Sequence, residues 1–175
     1  RLGVGTDNID LEYCKKRNVK ILTSNVDLSN SVAEHALSLI FASLKKTISS
    51  HFLVKNKKWK KNLTRTIFNK KIGIIGLGKI GKKLIRITKQ FKLNYYYYDI
   101  KKNSNIIAKY VTLKNLFKIS DIISIHASSN INSKDLVNKE NLKTAKKDLI
   151  LINTSRGDFI NESDLYYFLK KNPTT

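Results

Sequence analysis

The sequence predicts an α/β protein built on a doubly wound, parallel β-sheet. Three features of its 175 residues support this prediction. From residue 71 onward, short apolar runs alternate with segments of helical periodicity, a pattern typical of parallel sheets with right-handed crossovers. A glycine-rich turn directly follows the first of these apolar runs, and an acidic residue closes the second. The glycine-rich turn and the acidic residue are therefore expected at the ends of neighbouring strands.

Two helices and one strand are expected before residue 71. Residues 9–17 are predicted to form a short helix that ends at Asn18, and residues 19–22 a strand. A long helix is expected to begin at Ser31, because Ser31 and Glu34 have the spacing of a capping box. Apolar residues at helical spacing give this helix one buried stripe: Ala33, Ala36, Leu37, Ile40, Phe41, Leu44 and Ile48.

The α/β alternation begins after an aperiodic segment. Residues 55–66 are interpreted as a polar connection in which Trp59 packs against the domain. Beyond it, four apolar runs are predicted strands: 72–75, 95–98, 122–126 and 149–153. Three segments are predicted helices: 80–91, 111–117 and 162–169, the last capped by Asn161.

The composition limits the classes of protein to which the chain can belong. A hydrophobic fraction of 41% excludes a wholly disordered chain, and no apolar run reaches the roughly 18 residues of a membrane-spanning helix. The lone Cys14 excludes a disulfide framework. No metal-ligand spacing or Ser–His–Asp arrangement stands out. We therefore expect a cytoplasmic protein without a metal site. Since the chain starts at Arg1 and has no Met, we interpret it as a fragment.

The formal net charge of +21 raises the possibility of a nucleic-acid partner. However, 29 of the 34 basic residues are Lys and only 5 are Arg, whereas phosphate and base recognition favours the guanidinium fork. The Lys residues are spread through every segment, and the densest basic and aromatic patch, residues 55–61, is more simply a polar loop. We interpret the charge as a solvated lysine coat and expect no nucleic-acid or membrane partner.

The most informative motif is a glycine turn that binds phosphate in dinucleotide-binding proteins. Gly76, Gly78 and Gly81 form a G-x-G-x-x-G pattern between a predicted strand and a predicted helix. In such a turn the first glycine permits the tight bend, the second lets the backbone approach a pyrophosphate, and the third lets helix and strand pack closely. Lys79 and Ile80 open the helix, whose N-terminal amides attract phosphate. We assign all five residues to a cofactor site on a Rossmann-type sheet.

Asp99 is the expected ribose-binding residue. It lies 18 residues beyond Gly81, close to the spacing of about 20 typical of this carboxylate. A carboxylate there accepts hydrogen bonds from the ribose hydroxyls and repels a 2′-phosphate, so we expect NAD(H) as the cofactor. Lys101 and Lys102 leave NADP(H) open, because cations at this place tolerate a phosphate. A plain turn beside a solvated Asp99 is the remaining alternative.

Four segments together resemble the D-isomer-specific 2-hydroxyacid dehydrogenases: residues 3–10, 31–36, 76–99 and 152–157. They occur in the family's order and cover nearly the whole chain. The resemblance implies an NAD-dependent oxidoreductase that transfers hydride to or from C2 of a small D-2-hydroxy acid. It also implies two domains: residues 1–28 as the tail of a flavodoxin-like substrate domain and residues 29–175 as a C-terminally incomplete NAD-binding domain.

The resemblance also assigns residues to the substrate and to the cofactor. The backbone amides of Val4 and Gly5 are expected to hold the substrate carboxylate, although an ordinary turn is an alternative. Asn153, Thr154 and Ser155 are expected to line the nicotinamide pocket. His126 matches a common family histidine that is not the proton donor, and we interpret it as a packed or hydrogen-bonded strand-end residue.

Arg156 is the predicted catalytic residue. It matches the family's active-site arginine, which clamps the substrate carboxylate and polarises the carbonyl group. The planar, permanently charged guanidinium group can form two hydrogen bonds to the carboxylate of a 2-oxo acid, and it stabilises negative charge that develops on oxygen. Arg156 also follows a predicted strand at the edge where doubly wound folds bind their ligands. A surface ion pair is the alternative role.

Two further expectations concern activity and assembly. The family's acid–base histidine and its carboxylate partner follow the arginine and do not occur before Thr175, so we expect this chain alone to bind nucleotide without turnover. The family often dimerises near the helix of residues 31–50, which makes a homodimer the expected assembly. A non-catalytic NAD(H) sensor or scaffold of the same fold stays open as an alternative.

Overall fold

A computed structural model of the chain describes residues 5–6, 8–24, 26–103, 107–128 and 134–173. Its helices are α1 (Leu11–Lys16), α2 (Ser29–Lys45), α3 (Thr47–Lys55), α4 (Lys79–Thr88), α5 (Leu113–Ile119), α6 (Lys139–Thr144) and α7 (Glu162–Lys171). Its strands are β1 (Lys71–Ile75), β2 (Asn94–Tyr98), β3 (Lys109–Tyr110), β4 (Ile122–Ile125) and β5 (Ile150–Asn153). Short 3₁₀ turns span Lys89–Phe91 and Gly157–Phe159.

The strands form one parallel sheet in the order β3–β2–β1–β4–β5. The chain enters at the central strand β1, proceeds outward to β3, and then returns to the other side of β1 to add β4 and β5. Such a reversal creates a switch point between β1 and β4, the place where doubly wound sheets bind their ligands. The predicted α/β class and Rossmann-type, doubly wound parallel sheet are confirmed.

Helices cover both faces of the sheet. On one face α2 and α4 pack against each other and bury the side chains that point to them from β1, β2 and β5. On the other face α5 and α6 cover β1 and β4, and α7 packs against α6. Neighbouring residues of a strand point to opposite faces, so Ile74 belongs to the first core and Ile75 to the second. Burial of both faces explains why the strands are apolar without alternation.

The structure corrects the predicted strand at residues 19–22. These residues follow α1 in an irregular conformation and are not part of the described sheet. Val19 and Leu22 are 55% and 66% exposed. An apolar run that buries so little of its surface gains too little from packing to be held in a sheet.

The start of α2 also differs from the prediction. The helix begins at Ser29 instead of Ser31, and Asp27 binds its first turn. The carboxylate of Asp27 accepts hydrogen bonds from the backbone N–H of Ser29, at 3.0 Å, and from its hydroxyl group. These bonds and the Lys83 ammonium 3.2 Å away lower the pKa of Asp27 to about 2. The capping box of Ser31 and Glu34 is therefore wrong.

The long predicted helix is interrupted at Lys46. This residue adopts a left-handed conformation with φ = 50°, which ends α2 and separates it from α3. The buried stripe of α2 is confirmed at Ala33, Ala36, Ile40 and Leu44, but Ile48 in α3 is 63% exposed. Trp59, expected to pack against the domain, is 99% exposed.

Most of the other predicted elements are confirmed, with shifted ends. The predicted helix 111–117 begins two residues later, at Leu113, where Thr112 caps α5. The Asn161 cap of α7 is observed, because its side chain accepts a hydrogen bond from the N–H of Asp164. The two-residue β3 and the short α6 were not predicted from the sequence. No helix among the described residues is long and apolar enough to cross a membrane.

Candidate functional site

The carboxyl ends of four strands meet at one edge of the sheet. Ile75, the last residue of β1, is in register with Tyr98 of β2 and with Ile125 of β4. Ile125 is in turn in register with Asn153 of β5. The residues that immediately follow these strand ends are Gly76, Asp99, His126 and Thr154. Four predicted or candidate residues from distant parts of the chain are thus brought to the same edge.

Gly76 occupies a position where the backbone requires glycine. Its φ is +87°, a conformation that L side chains rarely adopt. A Cβ atom there would lie 2.5 Å from the backbone N and Cα of Ala127, just beyond β4. The N–H of Gly76 donates a 2.9 Å hydrogen bond to the carbonyl of Tyr98. The turn after β1 is therefore held tightly between β2 and β4.

Gly78 and Gly81 differ in what surrounds them. A Cβ atom on Gly78 would meet no atom within 4 Å, so this glycine borders open space. A Cβ atom on Gly81 would lie 2.8 Å from the carbonyl oxygen of Gly76 and 3.0 Å from Cγ2 of Ile74. The second glycine thus leaves room for a ligand, and the third allows α4 to pack closely on β1. These are the roles that the motif has in dinucleotide-binding turns.

The N-terminus of α4 faces the same open space. Gly78 is the residue that caps this ten-residue helix, and Lys79 and Ile80 form the start of its first turn. Within the described residues, no side chain accepts a hydrogen bond at this cap, and the first turn has no acidic residue. The first amides of α4 and the positive end of its dipole are therefore available to an anion.

Asp99 is bound to the glycine turn by its own carboxylate. Oδ2 accepts a 2.7 Å hydrogen bond from the N–H of Leu77, and Oδ1 accepts one of 3.3 Å from the N–H of Lys101. A carboxylate has about four lone-pair sites, so both oxygens can accept further bonds. Nearby, the Lys102 ammonium lies 4.9 Å from the ring centroid of Tyr110.

A cavity of about 150 Å³ connects these groups at the switch point. Its lining includes Gly76, Gly78 and Asp99. His126, just beyond β4, and the apolar Leu136 also line it. The cavity therefore joins the glycine turn, the carboxylate and the end of β4 in one continuous surface.

His126 connects the ends of β4 and β5. Its Nε2 atom lies 2.9 Å from the hydroxyl of Ser124, and its Nδ1 atom lies 3.3 Å from the hydroxyl of Thr154. The side chain is buried, and burial lowers the pKa of His126 to about 4. The ring is therefore neutral near pH 7. The predicted hydrogen-bonded strand-end role is confirmed by these contacts.

The loop after β5 is organised by Asn153, a residue that the resemblance assigns only to the nicotinamide pocket. Its Oδ1 accepts hydrogen bonds from the N–H and the hydroxyl of Ser155, at 3.0 and 2.7 Å. Its Nδ2 donates a 2.7 Å bond to the carbonyl of Arg156. An Asn whose side chain bonds the backbone two residues later is a common turn former, so the Asn-x-Ser spacing was the available signal.

Arg156 lies on this loop with an exposed side chain. Its Nη1 donates a 3.0 Å hydrogen bond to the carbonyl of Ser155. Arg156 follows β5, the outer strand, at the same edge of the sheet as Thr154 and His126. A permanently charged fork at this place can bind a carboxylate or stabilise charge on oxygen.

The expected substrate amides are only partly described. Val4 lies outside the described residues, and Gly5 is half-buried. Their placement next to Arg156 therefore stays a prediction.

Comparison with protein families agrees with the geometry of this edge. The model for the NAD binding domain of D-isomer specific 2-hydroxyacid dehydrogenases matches residues 37–175. The chain is 32% identical over 169 residues to hydroxypyruvate reductase of Thermotoga maritima, an alignment that covers 95% of this chain and 55% of that protein. It is 29% identical over 178 residues to glyoxylate reductase of Korarchaeum cryptofilum, with 96% and 54% covered. The chain spans about half the length of the curated relatives it matches.

Solved structures show the same similarity. The apo form of D-lactate dehydrogenase from Escherichia coli superposes with a TM-score of 0.89 at 27% identity, over 97% of this chain and 55% of that one. D-lactate dehydrogenase from Aquifex aeolicus, complexed with NAD and lactic acid, gives a TM-score of 0.86 at 28% identity, with 98% and 55% covered. The comparisons confirm the predicted family resemblance and the predicted cofactor, NAD.

Proposed function

The chain belongs to the D-isomer specific 2-hydroxyacid dehydrogenase family, and from this premise we propose that it binds NAD(H) across the carboxyl edge of its sheet. In the whole enzyme, this domain would serve the oxidation of a small D-2-hydroxy acid or the reduction of the matching 2-oxo acid. The relatives named hydroxypyruvate reductase, glyoxylate reductase and D-lactate dehydrogenase support this substrate class.

The glycine turn is the observation that carries the proposal. Gly78 borders open space and is the N-cap residue of α4, which has no side-chain cap among the described residues. The first amides of α4 would hold the pyrophosphate, with Lys79 and Ile80 in the first turn. Asp99, fixed by the N–H of Leu77, would accept hydrogen bonds from the adenosine ribose.

The loop after β5, at the same edge of the sheet, would bind the nicotinamide ring and the substrate. The cofactor supplies or accepts the hydride at its nicotinamide ring. Thr154 and Ser155 would line the pocket for that ring, on the opposite side of the switch point from Asp99. Arg156 would clamp the substrate carboxylate and polarise the carbonyl oxygen. Val4 and Gly5 would bind the same carboxylate through their amides.

Selectivity for NADH over NADPH tests the proposal through Asp99. The variant Asp99→Asn keeps an oxygen that can accept from the N–H of Leu77, but it loses the charge that repels a 2′-phosphate. We expect the ratio of NADPH to NADH dissociation constants to fall by at least about tenfold, or about 1.4 kcal/mol. Fluorescence titration of both nucleotides measures the ratio. Weak binding of NADH to the wild-type chain, or an unchanged ratio in the variant, contradicts the assignment.

We further propose that the 175-residue chain by itself binds NAD(H) without turnover, which is a separate proposal from the alternative of a non-catalytic sensor or scaffold. A proton donor for hydride transfer needs a pKa near the working pH. His126 is the histidine that contacts the β5 loop, and burial lowers its pKa to about 4. We expect the 175-residue chain to bind NADH without reducing glyoxylate, hydroxypyruvate or pyruvate. Loss of absorbance at 340 nm would measure reduction, and measurable turnover contradicts this expectation.

The domain division, assembly and location belong to the same proposal. We assign residues 29–175 to the NAD-binding domain and residues 1–28 to the end of the substrate domain. An exposed apolar surface on α3 and the following segment supports a homodimer: Ile48, Phe52, Val54, Trp59 and Leu63. The free thiol of Cys14 is compatible with the proposed cytoplasmic location.

A further inference from the structure

His126 has contacts that the proposed hydride transfer does not use. Both of its ring nitrogens face hydroxyl groups, Ser124 within β4 and Thr154 just beyond β5. Its backbone N–H donates a 2.8 Å hydrogen bond to the carbonyl of Ile75 at the end of β1. One buried residue therefore connects the ends of three neighbouring strands at the switch point.

The chemistry of the ring suits a fixed bridge. A neutral imidazole has one donor and one acceptor nitrogen, and a hydroxyl can either donate or accept. Both contacts are therefore satisfied in either tautomer of the ring, without a charge in the buried site. Ser124 is completely buried, so loss of the ring would leave its hydroxyl without this partner, which is costly in the interior.

The bridge reaches the loop that carries Arg156. Thr154 is the first residue after β5, and His126 holds it against β4. From there Asn153 controls the rest of the loop, through its bonds to Ser155 and to the carbonyl of Arg156. The backbone of Arg156 is therefore bound to a turn that Asn153 organises, and Thr154 in this turn contacts His126 of the neighbouring strand end.

We propose that His126 is a positioning residue, which holds the β5 loop so that Thr154 and Arg156 stay beside the nicotinamide half of the bound cofactor. The inference rests on the proposed NAD(H) site. In a doubly wound sheet the two halves of a dinucleotide lie on opposite sides of the switch point. The glycine turn and Asp99 belong to the adenosine side, where His126 also lines the cavity, and the loop after β5 belongs to the nicotinamide side.

Comparison of NADH with ADP-ribose, which lacks the nicotinamide, separates the two halves. The variant His126→Leu removes both ring contacts and should raise the dissociation constant of NADH about three- to tenfold relative to that of ADP-ribose. The conservative variant His126→Gln keeps a donor and an acceptor in its amide, and it should restore most of the NADH affinity. Urea unfolding of each variant verifies the fold, and the fluorescence of bound NADH reports the environment of the nicotinamide.

A second variant decides the case if His126→Leu does not fold, or if it also weakens ADP-ribose binding because His126 lines the cavity beside Asp99. Thr154→Val keeps the volume but removes the hydroxyl that faces Nδ1, and it should reduce the relative NADH affinity by a similar factor. An equal loss of NADH and ADP-ribose affinity in Thr154→Val, no loss of NADH affinity in either variant, or no recovery in His126→Gln would overturn the role. If the wild-type chain binds neither ligand, the proposed cofactor site itself fails, and the positioning role fails with it.

Discussion

Replacing Gly78 by alanine is expected to weaken nucleotide binding without unfolding the domain. Gly78 has φ = −79° and ψ = −157°, an extended conformation open to alanine, and the added methyl group would contact no atom within 4 Å. Restriction of the unfolded chain stabilises such a variant by about 0.4–1 kcal/mol. Alanine is, however, a poorer N-cap than glycine by a similar amount. The free energy of unfolding should therefore change by less than about 1 kcal/mol.

The effect on binding should be much larger. The methyl group would occupy the space through which a pyrophosphate approaches the amides of α4. We expect the dissociation constant of ADP-ribose, measured by calorimetry, to rise at least about tenfold. Gly157→Ala is the matched control, because its methyl group also meets no atom within 4 Å and Gly157 lies beyond β5. Wild-type affinity in a folded Gly78→Ala variant, or equal losses in both variants, would refute the role of the turn.

Three further predictions concern packing, pH and assembly. Gly81→Ala should lower the free energy of unfolding by about 1–3 kcal/mol, because its Cβ would lie 2.8 Å from the carbonyl oxygen of Gly76. A wild-type free energy of unfolding in urea would contradict this prediction. Since the pKa of His126 is about 4 in the folded protein and 6.5 without burial, the unfolded chain binds more protons between these pH values. As the pH falls from 6.5 to 4, the free energy of unfolding of the wild type should therefore decrease by about 3 kcal/mol more than that of His126→Gln. Equal decreases in the two proteins would contradict this prediction. Trp59→Ser should shift the proposed dimer toward monomer in light scattering, because Trp59 is 99% exposed in the single chain; an unchanged mass would exclude Trp59 from the interface.

The central part of the fold could be predicted because its signals are local. An apolar strand, three glycines at fixed spacing and an acidic residue after the next strand are all contained in residues 72–99. Each signal has one dominant physical cause, such as the positive φ of Gly76 or the close packing at Gly81. Arg156 could be placed at the same edge because parallel strands end together.

Features that depend on distant contacts could not be predicted. Residues 19–22 have the composition of a strand, but only the folded chain shows that they remain at the surface. The start of α2 depends on Asp27, whose carboxylate also binds Lys83 of α4. The β5 loop depends on the contact between His126 and Thr154, which are 28 residues apart. Residue patterns within a short stretch of sequence do not show which distant residues these side chains contact in the folded chain.

Calorimetric titration of the wild-type 175-residue chain with NADH measures whether the glycine turn and Asp99 form a nucleotide site. We expect heat of association at a stoichiometry of one nucleotide per chain. Folded protein that gives no heat with NADH at several temperatures, and no change in nicotinamide fluorescence, would contradict this expectation.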